Sequence, residues 1–303
     1  AAFEGHRAGV DMLNQGNPFD PMGRPNAKPS WPLHLSFLGL GVKHLILAGT
    51  VVAVGVWALV VSLIRPRRWL EVPILLAICL SPAVMLGLER ANDDLVYLLL
   101  LSCIPLVLKW KHAARVWVVW LIIFLLAPAK FYPGAAFAVL ILEIRNWRLL
   151  LGMMALGAVF LSGYLFVYWQ ELQLLSEIVP RSHKYMTHGL ASIQINAKLP
   201  EFLYYLFFLL LVGAGLWPLI ARKWPEINAS VPMQRWFILG AAAWFFCYCI
   251  NTNFDYRLVF YLPMLPMLLH LSRQDTSTTR WRNVATYWMI FLVVAAWVEM
   301  ALM

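Results

Sequence analysis

Charge is scarce in this sequence. Asp, Glu, Lys and Arg make up 13% of its 303 residues and hydrophobic residues 62%, against about 25% and about 45–50% in a soluble domain. Mean hydropathy is +0.71. A soluble globular domain is therefore excluded. The apolar runs also lack alternation, which excludes a transmembrane β-barrel, whose strands alternate in facing lipid and lumen. Cysteine is sparse as well. Cys79, Cys103, Cys247 and Cys249 all lie inside apolar runs, and we read them as small core residues with neither disulfide nor metal. No Walker A, strand-linked GxGxxG, HExxH, GxSxG or CxxC motif occurs, so the common phosphate, zinc, serine-hydrolase and dithiol signatures are missing. Charges within the apolar runs are few, which gives a proton or ion pathway little support.

What is present is hydrophobic length. Several runs approach the roughly 20 residues that cross about 30 Å of hydrocarbon. The expected fold is all-α, a polytopic transmembrane helical bundle. Ten spans are predicted at about 42–64, 71–88, 94–109, 114–129, 131–144, 148–169, 201–221, 235–250, 257–271 and 284–302, with a further helix expected upstream because residues 1–32 are polar and begin without Met. Fifteen Trp fit interfacial belts. No repeat stands out. Residues 1–41 read as one extracytoplasmic loop with an amphipathic helix at AGVDML, and residues 42–303 as the membrane domain with an extracytoplasmic loop at about 170–200.

The loops sort into two sets. RPRRW (65–69), KWKHAAR (109–115), EIRNWR (143–148), ARKWPEINASVPMQR (221–235) and SRQDTSTTRWR (272–282) carry 14 of the 24 Lys and Arg. The positive-inside rule makes them cytoplasmic. The net charge of +9 is thereby explained without nucleic acid. The alternate loops, 1–41, ERANDD (89–94), AKFYP (129–133), about 170–200 and NTNFDYR (251–257), then share the extracytoplasmic face. Polarity concentrated on one face points to a site there.

Each of these loops has a bland and a functional reading. In the first, Glu4 or Asp11 is either part of a solvated tail or a general base over a site. In ERANDD, Asn92 or Asp93 can cap the following helix, which leaves Glu89 and Arg90 unexplained; the alternative is a polar cluster holding a substrate or a cation. Lys130 either snorkels, with Phe131 and Tyr132 as interface anchors, or waits near an anionic headgroup. Pro133 suits the first turn of the next helix. Arg181, His183, Lys184 and His188 form a basic loop suited to phosphate. Asn253 or Asp255 can cap a helix, and Arg257 stands at that helix's start against the dipole, which suits an anion-binding arginine.

Four of these stretches together resemble a known family. GNPFDP with PSWPL, LERANDDLVYLLL, AKFYPGAAFAVL and NTNFDYRLVFYLP are similar, in this order, to the outer-loop segments of GT-C type membrane glycosyltransferases. The likeness is to the bacterial branch that includes polyprenol-phosphate-mannose-dependent mannosyltransferases and arabinofuranosyltransferases, and it covers about residues 8–266. It implies transfer of a mannose- or pentose-like sugar from a polyprenyl-phosphate donor to a lipid or glycan acceptor on the extracytoplasmic face, with inversion at the anomeric carbon. An acid of the first outer loop would deprotonate the acceptor hydroxyl. Lys130 and Arg257, with Arg90 or Arg181, would hold the leaving lipid phosphate through charge-assisted hydrogen bonds. Asp93 or Asp94 would orient sugar hydroxyls or a basic neighbour, and Asn92, Tyr132, His183, Asn253, Asp255 and Tyr256 complete the substrate-binding set. No cofactor is expected beyond the lipid-linked sugar itself, with a divalent metal left open. Membrane lipids, the donor and a glycan or glycolipid acceptor are the expected partners, and nucleic acid is not.

One position departs from the family. The usual first-loop Asp aligns with Ala2, and the nearest acids are Glu4 and Asp11. The base has moved, or lies upstream, or the chain is a non-catalytic membrane subunit or lipid-binding scaffold that keeps the fold. A transporter is the remaining reading. It calls for paired broken helices bearing polar groups, and Pro82, Pro105 and Pro218 offer kinks with almost no charge beside them.

Overall fold

The computed structural model describes residues 45–89, 93–178, 200–220, 230–250, 255–273 and 279–302. Every regular element among them is helical. In order these are α1 (Leu45–Leu63), α2 (Glu71–Cys79), α3 (Pro82–Glu89), α4 (Asp93–Val107), α5 (Arg115–Leu126), a 3-10 helix (Tyr132–Ala136) continuing into α6 (Phe137–Glu143), α7 (Trp147–Ile178), α8 (Glu201–Ile220), α9 (Val231–Ile250), a second 3-10 helix (Asp255–Met264) continuing into α10 (Leu265–Ser272), and α11 (Thr279–Leu302). Each predicted apolar run carries one helix or one helix pair. The first loop, with its expected amphipathic helix, lies outside the described residues.

Ten full-length spans are not what forms. Two helices among the described residues are long and apolar enough to cross a membrane by length and composition, Ile46–Leu63 and Trp147–Trp169. Helices α2 to α6 and α10 are short, between 7 and 15 residues, and proline accounts for the clearest interruption. Pro82 has no N–H, so the Ile78 carbonyl loses its i+4 donor. The chain tightens there, and Ser81 N–H turns to Ile78 O at 3.3 Å. That leaves the Ala77 carbonyl without its own i+4 partner. Side chains from distant elements take up both carbonyls. Tyr261 Oη donates to Ile78 O at 3.0 Å and lies 3.1 Å from Ser81 Oγ, and Trp297 Nε1 donates to Ala77 O at 2.7 Å. Ser81 and Tyr261 are fully buried, where an unmade hydrogen bond is costly.

A second departure concerns the loop placed at about 170–200. Helix α7 runs on to Ile178, because QELQLLSEI is built of good helix formers and keeps helical hydrogen bonding after the apolar stretch ends. A third concerns cysteine: Cys79, Cys247 and Cys249 are buried, but Cys103 is exposed.

The core is a contiguous cluster. On α4, Leu95, Leu98, Leu101 and Ile104 are each at most 1% exposed, and their i, i+3 spacing makes one inward stripe. Ile78, Ile123, Leu140, Leu239, Phe260 and Tyr261 close around it. The outward faces are also apolar. On α1, Ile46 is 84% and Val61 70% exposed, and on α7 Phe166 is 87% exposed. A water-facing surface of this kind is unusual, since burying such a side chain is worth about 1.5–3 kcal/mol.

One end of the bundle is tied by two charged clasps. Arg235 donates from Nε and Nη2 to both Glu143 oxygens at 2.7 and 2.8 Å, and from Nη1 to Leu108 O at 3.1 Å. Arg115 joins the same carboxylate at 3.7 Å. Arg273 donates from Nε and Nη2 to Glu71 at 2.7 and 2.5 Å and from Nη2 to Arg65 O at 2.8 Å. Each clasp joins segments far apart in sequence.

Candidate functional site

The opposite end holds a different charged cluster, built on Asp94. Asp94 sits in the first turn of α4 and is 0% exposed. Acids suit a helix N-terminus, where unsatisfied N–H groups leave partial positive charge. Lys130 lies in the turn between α5 and the first 3-10 helix, and Tyr132 opens that helix. Pro133 follows in its first turn, with its φ already suited to a helical start.

Lys130 Nζ donates to Asp94 Oδ1. Tyr132 Oη donates to the same oxygen at 2.5 Å. The ammonium also lies 5.4 Å from the Tyr97 ring centre and 5.7 Å from that of Tyr132, within cation–π range. Those two rings meet edge to face at 5.9 Å. A single cation is thus held by one carboxylate and two aromatic faces. The Lys130 side chain keeps 14% of its exposure against 1% for Asp94. The carboxylate is sealed inside, and the Lys130 side chain is mostly buried with it.

Neighbouring elements fix the cluster from two sides. Tyr164 of α7 donates its hydroxyl to Pro128 O at 3.0 Å, which pins the turn leading to Lys130. The Tyr132 ring packs on Phe260 at 4.9 Å between centres. Phe260 belongs to the second 3-10 helix, three residues after Arg257, a rise of about 6 Å at the 3-10 pitch. The second 3-10 helix is thereby brought to the AKFYP turn at Phe260. Gly240 of α9 lets this helix approach: a Cβ there would stand 2.7 Å from Phe260 O.

The predicted site residues divide as follows. Asp94, Lys130 and Tyr132 come together as described. Asp93, Asp255, Tyr256 and Arg257 are placed by backbone alone, Asp93 as the first residue of α4 and the other three at the start of the second 3-10 helix. Glu4, Asp11, Arg90, Asn92, Arg181, His183 and Asn253 lie outside the described residues. The snorkelling reading of Lys130 is corrected, because its ammonium turns inward to a buried acid. Tyr132 is corrected as an interface anchor for the same reason: it is 5% exposed, whereas Phe131 is 49% exposed. Asp94 has a basic neighbour, one of the two roles open to it from the sequence.

Sequence reasoning missed Tyr97, Tyr164 and Phe260. Tyr97 was findable, being three residues from Asp94 on one helix and so on the same face. Tyr164 and Phe260 carried no such signal, since each acts through a contact between distant segments. Among the described residues no group of three or more His, Cys, Asp or Glu could hold a metal ion. Compared with models of known families, with curated proteins and with solved structures, the chain gives no match.

Chemically, the cluster pairs the Lys130 ammonium with Asp94, whose Oδ1 accepts from both Lys130 and Tyr132.

Proposed function

We propose that the chain is a multi-pass membrane glycosyltransferase of GT-C type, with about ten membrane segments. It moves a sugar from a polyprenyl-phosphate donor to a glycan or glycolipid acceptor on the extracytoplasmic face. The observation that carries this reading is the meeting of ERANDD, AKFYP and the NFDYR helix at one end of the bundle through Asp94, Lys130, Tyr132 and Phe260. These are three of the four segments on which the resemblance rests, and they lie far apart in sequence.

Two further features support it. The apolar outward faces and the two long apolar helices suit lipid. Under the positive-inside rule the basic connections would lie on the cytoplasmic side, and in this reading Asp94 lies toward the opposite face. In this reading Lys130 and Arg257 stabilise the negative charge that grows on the lipid phosphate as the glycosidic bond breaks. Asp94 and Tyr132 position Lys130. Glu4 or Asp11 remains the base from the first loop.

The test is transfer of labelled sugar from polyprenyl-phosphate donors by the purified full chain in lipid. Alanine at Lys130 or at Arg257 is expected to lower transfer at least about 100-fold, the scale of losing one electrostatic contact to the transition state. Full activity in both variants would sink the proposal. A non-catalytic lipid-binding subunit is the second reading, favoured by Ala2 in place of the usual acid. It predicts donor binding without turnover, unchanged by Glu4→Gln and Asp11→Asn.

A further inference from the structure

The clasp end carries a surface that the transfer chemistry does not use. Three of its connections, 64–70, 108–114 and 144–146, contain no acid. The acids that flank them, Glu71 and Glu143, are turned inward onto Arg273, Arg235 and Arg115. These connections therefore hold cations and no acid of their own. Arg67 and Arg68 are exposed after α1, Lys109 and Lys111 after α4, and Arg148 at the start of α7.

Tryptophan interleaves with them. Trp69 is 90%, Trp110 52% and Trp147 63% exposed. Arg148 lies 5.7 Å over the Trp147 ring. In the last turns of α1, which leads into this segment, Val61 is 70% exposed. The surface thus grades from hydrocarbon-like, through indole, to guanidinium and ammonium.

We infer that this end is a recognition surface for the anionic phospholipid headgroups of the leaflet it adjoins. Arg forks match phosphate oxygens, and juxtamembrane cations are drawn to anionic lipid. Indole rings settle at the headgroup level. An acidic protein or a nucleic acid would meet the charges and leave the adjoining apolar flank and the three tryptophans uncovered. The inference rests on the membrane reading alone and stands or falls apart from sugar transfer.

The experiment reconstitutes the full chain into bilayers of equal phosphatidylglycerol and phosphatidylcholine and measures by mass spectrometry the lipid retained on gentle extraction. Wild type is expected to enrich phosphatidylglycerol at least about threefold over the bulk ratio. The enrichment should shrink between about 0.05 M and about 0.5 M salt, as screening shortens the reach of each charge. A variant carrying Arg67→Gln, Arg68→Gln, Lys109→Gln and Lys111→Gln should lose it. Equal retention of the two lipids by wild type overturns the inference, as does enrichment that persists in the variant or ignores salt. If the variant does not fold, the wild-type lipid ratio and its salt dependence decide. Failure of wild type to insert into a bilayer overturns the membrane reading together with this one, whereas loss of sugar transfer leaves it untouched.

Discussion

Lys130→Met is the change that most directly separates support from chemistry. It removes the ammonium and leaves Asp94, 0% exposed, without its cation. Breaking one side of a buried ion pair costs about 3–5 kcal/mol. Two features place this case near the lower figure. Lys130 keeps 14% side-chain exposure, so part of its charge was already solvated, and Tyr132 still donates to Asp94 at 2.5 Å. The expected loss is therefore about 3 kcal/mol. Adding Asp94→Asn removes the stranded charge and keeps an acceptor for Tyr132. Neutral groups of similar shape often replace a buried pair without loss, so the double variant should recover about 2 kcal/mol of that stability. Equilibrium unfolding in detergent micelles measures both. Transfer activity should stay lost in the double variant, because stability returns and the cation does not. If the two substitutions simply add, the pair is not coupled and the cluster does not hold Lys130. If the restored double variant transfers sugar at the wild-type rate, Lys130 has no part in the reaction.

Other expectations follow from the same geometry. Tyr261→Phe strips a donor from Ile78 O and a partner from Ser81. Ser81 N–H still reaches that carbonyl at 3.3 Å, so the loss should be about 1–2 kcal/mol in unfolding. Pro82→Ala supplies the missing N–H, and in that background Tyr261→Phe should cost measurably less; an unchanged cost would refute the account of the kink. Gly240→Ala should destabilise by about 1–3 kcal/mol and lower transfer, because its Cβ would meet the Phe260 carbonyl and the 3-10 helix that leads to Arg257 must shift. Normal transfer in that variant would show that the helix position is not critical. Glu143→Gln leaves the Arg235 guanidinium, 8% exposed, beside a neutral acceptor, and stability should fall by about 3 kcal/mol, a loss that an unfolding curve superimposable on wild type would contradict.

Much of the architecture was readable from local pattern. Apolar runs between charged loops located each helix or helix pair, because helical hydrogen bonding in an apolar run is satisfied within the segment. The two-ended sorting of loops came from charge alone, and the contacts that Arg115, Arg235 and Arg273 make with Glu143 and Glu71 were not legible in it. Lys130, Asp94 and Tyr132 could each be singled out, since polar groups bordering apolar runs are few.

Tertiary structure decided how these pieces combine. Whether Lys130 turned outward to solvent or inward to Asp94 depended on a partner 36 residues away, which no spacing rule reaches. The same holds for the kink at Pro82. The sequence shows that a donor is missing there, and only the fold shows that Tyr261 and Trp297 supply the replacements. Local composition determines where a helix forms and where it must break. Which distant side chain satisfies the break, and which acid holds Lys130, is set by packing.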